Sequence, residues 1–213
     1  GVDGPGIRRV FEAADEAKTK KLGVAAGTQR RHQTSYNEIM KRVHNGEIGD
    51  ITGGRCYWNQ GGLWHEDRTQ GMSDLEWQIR NWLYFTWLSG DFNTEQHVHS
   101  LDKGAWAMKD EPPISCSGTG GRQTRTGEDY GHVYDPSAVV YDYKDGLNLF
   151  SRCRQQDGCE TNVSDHLFGT KGTCHIVSHR VKIEGENPWT YKGPGCDMYQ
   201  TEHDELFAGI RSG

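Results

Sequence analysis

No apolar run in the 213 residues approaches the ~20 needed to cross a bilayer as a helix, so no membrane partner is expected. Basic clusters are also missing. Lys and Arg number 24 against 30 Asp and Glu, a formal charge of −6, which argues against nucleic acid and suits small polar ligands. None of the six cysteines is spaced C-x-x-C, so a zinc knuckle is not expected. Most are read as buried reduced thiols, with a Cys153–Cys159 bridge left open. No G-x-G-x-x-G turn follows a strand: Gly1-Val-Asp-Gly-Pro-Gly6 lacks both the strand and the spacing that cradle a pyrophosphate. Aliphatic content is low, with mean hydropathy −0.84, and 28 glycines imply many turns. Seven Trp and nine Tyr supplement the core. A chain of this length holds one large domain, or one domain plus a fragment of another. It has no initiator Met or signal peptide, and both ends read as cuts. The compartment stays open between cytoplasm and periplasm.

What is present is a change of period. Pro5 opens a helical turn, and Ile7, Val10, Phe11, Ala14 and Ala17 continue it at helical spacing towards Lys18, Lys20 and Lys21. Leu22–Gly27 then reads as a short buried parallel strand. Tyr36, Ile39, Met40 and Val43 mark a second helix stopped by Asn45-Gly46. After Asp50 the period becomes two. Strands are expected over Ile51–Asn59, Ile114–Thr119, Ala138–Tyr143, Leu147–Arg154, Thr161–Gly169, Thr173–Val177 and Val181–Glu184, with a hairpin at Asp145-Gly146. One or two helices fall between about residues 74 and 108. The fold class is α+β: an open, mostly antiparallel sheet with helices on one face, preceded by a helix and strand of α/β type.

The densest chemistry lies in Gly90–Trp106. Read as one helix, it places Glu95, His99, Asp102 and Trp106 on a single stripe. Oxidation of a secondary alcohol takes a hydride from carbon and a proton from oxygen. A neutral imidazole with an ordinary pKa of about 6.5 can take that proton, and a carboxylate one turn away can orient it. A competing reading makes His97 and His99, with His132, a metal-binding set. On a helix His97 and His99 point about 200° apart, which disfavours it. A second cluster, Thr28-Gln-Arg-Arg-His-Gln33, sits at the carboxyl end of the first expected strand, where α/β sheets bind ligands. Trp58, Trp64, Trp82 and Trp87 could stack on sugar rings, and Arg152, Arg154 and His132 could line a pocket.

Gln78-Ile-Arg-Asn-Trp-Leu-Tyr-Phe-Thr-Trp-Leu-Ser-Gly-Asp91, running into Glu95-Gln-His-Val-His-Ser-Leu-Asp102 and Trp106, resembles the glucose–fructose oxidoreductase/inositol dehydrogenase (Gfo/Idh/MocA) family. Gly27-Thr-Gln-Arg-Arg-His32, Gly46-Glu-Ile-Gly-Asp50 and Thr201-Glu-His-Asp-Glu-Leu-Phe-Ala-Gly-Ile agree with it. The resemblance implies a Rossmann domain that binds NAD or NADP, and an open-sheet domain that carries substrate and oligomer contacts. Residues 1–33 would then be the end of the Rossmann domain and 34–213 the substrate domain, with the main cofactor loop outside this chain. It implies His99 as proton carrier with Glu95 at the family's acid position, which is usually Asp. Gln29 and Arg30 would lie near the cofactor, and Arg30, Arg31, Trp82, Asp102, His132 and Arg154 near substrate. The implied activity is hydride transfer between a nicotinamide and a sugar, polyol or sugar derivative. Alternatives are redox-neutral NAD-dependent glycoside cleavage and metal-dependent or non-catalytic sugar binding. A homodimer or homotetramer is expected.

Overall fold

The computed structural model describes residues 2–178 and 180–212. Helix α1 (Gly4–Thr19) is capped by Asp3, whose carboxylate accepts the Gly6 N–H at 2.6 Å. None of its residues is buried, and Val10 and Phe11 are exposed. The strand expected at Leu22–Gly27 does not form. Residues 22–26 pair with no strand among the described residues, and Leu22 and Val24 stay exposed. A parallel strand needs a partner along its hydrogen-bonding edge, and none is offered here. Gly23 instead lies against Leu206 and Ile210 of α7 (Met198–Ser212).

A 3-10 turn, Gln29–His32, leads into α2 (Thr34–His44). Tyr36, Ile39, Met40 and Val43 fall at i, i+3, i+4 and i+7 and are all buried. The helix ends at Asn45, and Gly46 takes φ +79°.

Eight strands follow: β1 (Ile51–Gln60), β2 (Ser115–Gly120), β3 (Pro136–Asp142), β4 (Asn148–Gln155), β5 (Asn162–Gly169), β6 (Gly172–Val177), β7 (Arg180–Gly185) and β8 (Trp189–Thr190). The first seven match their expected positions to within two residues. They form one sheet in the order β2-β3-β4-β1-β5-β6-β7-β8. Only β1 and β4 run parallel within it. Between β1 and β2 the chain builds four helices rather than one or two: α3 (Asp74–Arg80), α4 (Thr86–Ser89), α5 (Phe92–Glu95) and α6 (Val98–Ala107). No helix among the described residues is long and apolar enough to cross a membrane.

Strand periodicity decides which side chains meet the helices. In β4, Leu149, Ser151, Cys153 and Gln155 are buried while Phe150 is half exposed. The buried face packs Leu167, Cys174, Ile176, Val181 and Ile183 against the apolar stripe of α2 and against Ala107 of α6. Each of the Leu, Ile and Val side chains contributes about 1.5–3 kcal/mol when fully buried. All six cysteines are free. Three of them, Cys56, Cys153 and Cys174, are buried. The Cys153 thiol donates to Asn93 Oδ1 at 3.3 Å and Cys159 is exposed, so no 153–159 bridge forms.

Helix α6 lies close against the sheet at Gly104, where a β-carbon would meet the buried Leu149 at 2.7 Å. Gly104→Val should overpack this contact and lower stability by about 1–3 kcal/mol, read as a fall in the urea midpoint. An unchanged midpoint would show that α6 can lift without cost.

Candidate active site

The segment that carries the acid and the histidine is not one continuous helix. Asp91, at φ +73°, caps α5 by accepting the Phe92 N–H at 2.6 Å. At Gln96 the backbone departs to φ −128°, ψ −49°. The His97 N–H bonds the Phe92 carbonyl five residues back at 3.0 Å, while His99 N–H reaches only to Gln96 at 3.2 Å. This is a π-type turn, one residue wider than an α-turn. The extra residue rotates Glu95 off the stripe that holds His99.

From His99 onward the expected stripe persists and faces the 3-10 turn. His99 Nε2 lies 3.3 Å from Gln29 Nε2. Asp102 accepts two bonds from Arg31 Nε at 2.9 and 3.1 Å. The Trp106 ring carries the Arg31 guanidinium 5.4 Å from its centroid. Arg31 also pairs with Asp110 at 2.6 Å. Arg31 and Asp102 therefore occupy one another and fix α6 against the turn. His32 is likewise engaged, 2.6 Å from Glu205 on α7.

Around His99 lie Trp58, at 5.9 Å between ring centroids, and Arg30, whose guanidinium sits 5.1 Å from the Trp58 ring. Arg30 donates to the Tyr36 hydroxyl at 3.0 Å, and that hydroxyl donates to the Ser178 carbonyl at 2.6 Å. Two buried polar atoms here have no partner, Arg30 Nε and His99 Nδ1. Burial, then the cations of Arg30 and Lys103, push the His99 pKa below its ordinary value, opposed by Asp102. The ring is thus a neutral base at pH 7.

Glu95 serves a different partner. The Gln155 side-chain amide donates to it at 3.4 Å. Desolvation raises its pKa to about 7, opposed by that hydrogen bond and by Arg125. The expected Glu95–His99 pair is not made. An amide chain joins the two regions instead: Trp58 Nε1–H to Gln60 at 2.8 Å, Gln60 to Gln96 at 3.2 Å, and Gln155 to Gln96 at 3.4 Å. Arg125 holds Gln155 and bonds the buried Asp135 at 2.7 Å. A cavity of about 260 Å³ opens beside Gln155, lined by Arg125, Tyr84, Tyr130, His65 and Asp157 among others.

The other expected residues lie elsewhere. Trp82 is exposed and pairs with Trp64 at 6.3 Å. The His132 ring sits edge-on to Phe85 at 5.8 Å. Arg154 bonds the Glu160 carbonyl and lines a groove with Arg152 on the sheet face opposite Gln155, because adjacent strand residues point to opposite faces. His97 is fully buried, 2.7 Å from Ser151 Oγ and 3.9 Å from Cys56 Sγ, so it does not join His99 or His132 around a common ion. Sequence reasoning missed Tyr36, Gln155 and Arg125. The register that buries Cys153 also turns Gln155 inward and could have found it. Tyr36 was hidden by its place on an apolar stripe.

No family model matches the chain, and the curated proteins give no match. Solved structures do. An aldose–aldose oxidoreductase from Caulobacter crescentus, complexed with glycerol, superposes with TM-score 0.71 at 14% identity, over 92% of this chain and 56% of its own. The super-repressor mutant of Gal80p from Saccharomyces cerevisiae gives 0.71 at 13%, over 95% and 54%. Levoglucosan dehydrogenase, in complex with NADH and levoglucosan, gives 0.69 at 15%, over 92% and 59%. The chain thus spans somewhat more than half the length of these structures. It has the fold of the C-terminal region of Gfo/Idh/MocA-type oxidoreductases.

Because Glu95 is raised to about 7 from an unfolded value of ~4.3, it favours the folded state fully below that unfolded value, and the benefit is lost as pH rises through 7. Glu95→Gln removes this loss. Its thermal midpoint should exceed the parent's near pH 8 and converge with it near pH 4. Parallel curves at both pH values would place the carboxylate in water.

Proposed function

We propose that this chain is the substrate-binding part of an NAD(P)-dependent oxidoreductase acting on a sugar, polyol or sugar derivative, with His99 as proton carrier. The observation that carries this reading is a neutral imidazole held among Gln29, Arg30 and Trp58, whose own Nδ1 and the neighbouring Arg30 Nε are buried without a partner. Residues 1–33 would complete a nucleotide-binding domain, and 34–213 form the substrate domain. The exposed apolar side chains of α1 and of residues 22–26 fit such a docking role.

Gln29 and Arg30 are the cofactor-side residues, and the unpartnered Arg30 Nε suits a polar group there. A nicotinamide, when bound, takes or returns the hydride at the substrate carbon. His99 takes the hydroxyl proton in the oxidation direction and returns it in reduction. Nδ1, which has no partner, is the basic nitrogen when the Gln29 amide turns its oxygen to accept from Nε2–H. Arg30 keeps the ring unprotonated between turnovers. Trp58 supplies an apolar wall. Glu95 does not orient His99; it is a second proton-exchanging group, reached through Gln155.

That second group favours one alternative. Redox-neutral glycoside cleavage needs a further acid–base residue beyond the alcohol base, and Glu95, titrating near 7, could supply it. Release of free sugar without net NADH would support cleavage, and NADH accumulation the dehydrogenase. A repressor mutant shares the fold, so the fold alone does not decide for catalysis.

In the full-length protein, His99→Ala should cut turnover by ~10²–10⁴, measured as NADH formation across a sugar and polyol panel. A loss below threefold would remove His99 from the mechanism. The isolated 213-residue chain should bind NAD(P) only weakly in calorimetry, since it has no phosphate-cradling glycine turn. Micromolar binding would overturn the boundary at residue 33. The open sheet face fits a second copy of the chain, and light scattering should return a dimer or tetramer; a monomer of the full-length protein would leave that face without its partner.

A further inference from the structure

The amide chain that leaves Trp58 ends at Gln155, and beyond it lies the cavity of about 260 Å³. That volume falls just below the roughly 300–1,000 Å³ of pockets that bury a drug-sized ligand, so it suits one small ring. Its walls are set before any ligand arrives. Asp135 accepts the Arg125 Nε–H at 2.7 Å and the Thr124 N–H at 2.6 Å. One Asp157 oxygen accepts the Gly62 N–H at 2.7 Å, and the Tyr84 hydroxyl donates to the Trp64 carbonyl at 2.9 Å. The Asn81 amide closes on Glu66, accepting its N–H at 2.8 Å and donating to its carbonyl at 3.0 Å. Residues 62–66 are thereby pinned along one edge of the cavity.

What those walls leave unused defines the ligand. Asp157 Oδ2 and the Tyr130 hydroxyl have no hydrogen-bond partner among the described residues. An acceptor and a phenol beside the Tyr84 and Tyr130 rings match a ring that carries hydroxyls on its rim and C–H groups on its faces. An anion fits poorly, because Arg125 is already paired with Asp135 and the Asp157 charge lines the same space. Arg125 in turn opposes a cation. The occupant is neutral and polyhydroxylated. Trp64 and Trp82 add a second sign, keeping 44% and 41% of their surface exposed with their rings 6.3 Å apart. Trp64 stands edge-on to Tyr84 at 6.4 Å and follows Leu63, and both of these neighbours line the cavity. Large rings left in water beside a polar cavity form a contact surface, and a sugar can cover one with its C–H face while its hydroxyls stay wet.

We propose that this cavity, with Trp64 beside it, is a second sugar subsite, so that the substrate is a glycosidically linked saccharide of two or more rings and not a free monosaccharide. The inference rests on the reading of His99 as proton carrier for the ring that reacts. Asp157, Tyr130 and Trp64 hold the ring that does not. Contacts to that remote ring distinguish linked from free sugars without touching the reacting carbon.

Calorimetry and NADH formation on the full-length protein test this, with maltose, cellobiose and lactose set against glucose and galactose. At least one disaccharide should bind about tenfold tighter than its monosaccharides. Tyr130→Leu, Asp157→Asn and Trp64→Ala should each cut that preference about tenfold with circular dichroism retained, the effect of one lost hydrogen bond or ring contact. Tyr199→Ala, exposed on α7, should keep it. A preference lost in the three variants, with no NADH from any sugar, supports the subsite while removing the dehydrogenase reading. NADH from monosaccharides without a disaccharide preference overturns the subsite and leaves that reading standing. A preference that survives all three variants, or no sugar binding at millimolar concentration, overturns the subsite as well.

Discussion

Lys103 and Asp165 join α6 to β5 inside the molecule, each almost wholly buried, and the placement of His99 depends on that fastening. Burial pushes the Asp165 carboxyl up, and Lys103 opposes it. Removing one member of such a pair costs roughly 3–5 kcal/mol because the other charge is stranded in a dry interior. Lys103 lies one turn after His99, so the same bond that holds the helix to the sheet fixes where the imidazole stands. The Arg31–Asp102 bond grips the next part of that helix from outside. The imidazole is thus positioned by two charge pairs on its own helix.

Legibility in the sequence followed the physics of each element. Strands from β1 to β7 were readable because a half-buried sheet enforces a period of two, and α2 because its stripe is complete. The strand at residues 22–27 misled because its composition describes a buried environment that this chain does not supply. The break at Gln96 was invisible because a π-type turn alters hydrogen bonding by one residue without any Gly or Pro to announce it. It was decisive all the same: the Glu95–His99 pair assumed an unbroken helix. Arg31 and Asp102 were found as chemically active residues, but their mutual neutralisation depends on a contact across about seventy positions.

The two titratable groups near the site owe their properties to opposite surroundings. His99 is kept neutral by burial and nearby cations. Glu95 is held partly protonated near neutral pH by burial in an amide-lined setting. One is a base and the other an acid at the same pH, which separates their roles by environment rather than by residue type. The resemblance read from the motifs and the fold found in solved structures agree on architecture. The chemistry rests on these local surroundings.

The single parallel pair in the sheet has a kinetic consequence. Strand β1, at the centre, cannot complete its edges until β4 and β5 exist, about a hundred residues later in the chain. A nascent polypeptide must carry that strand unpaired while four helices and two further strands are made. Closure entropy for so distant a partner makes the centre of the sheet one of the last parts to assemble. During that interval the strand's open edge is a template for the wrong neighbour. Arg55, midway along it, is the kind of charge that discourages such pairing.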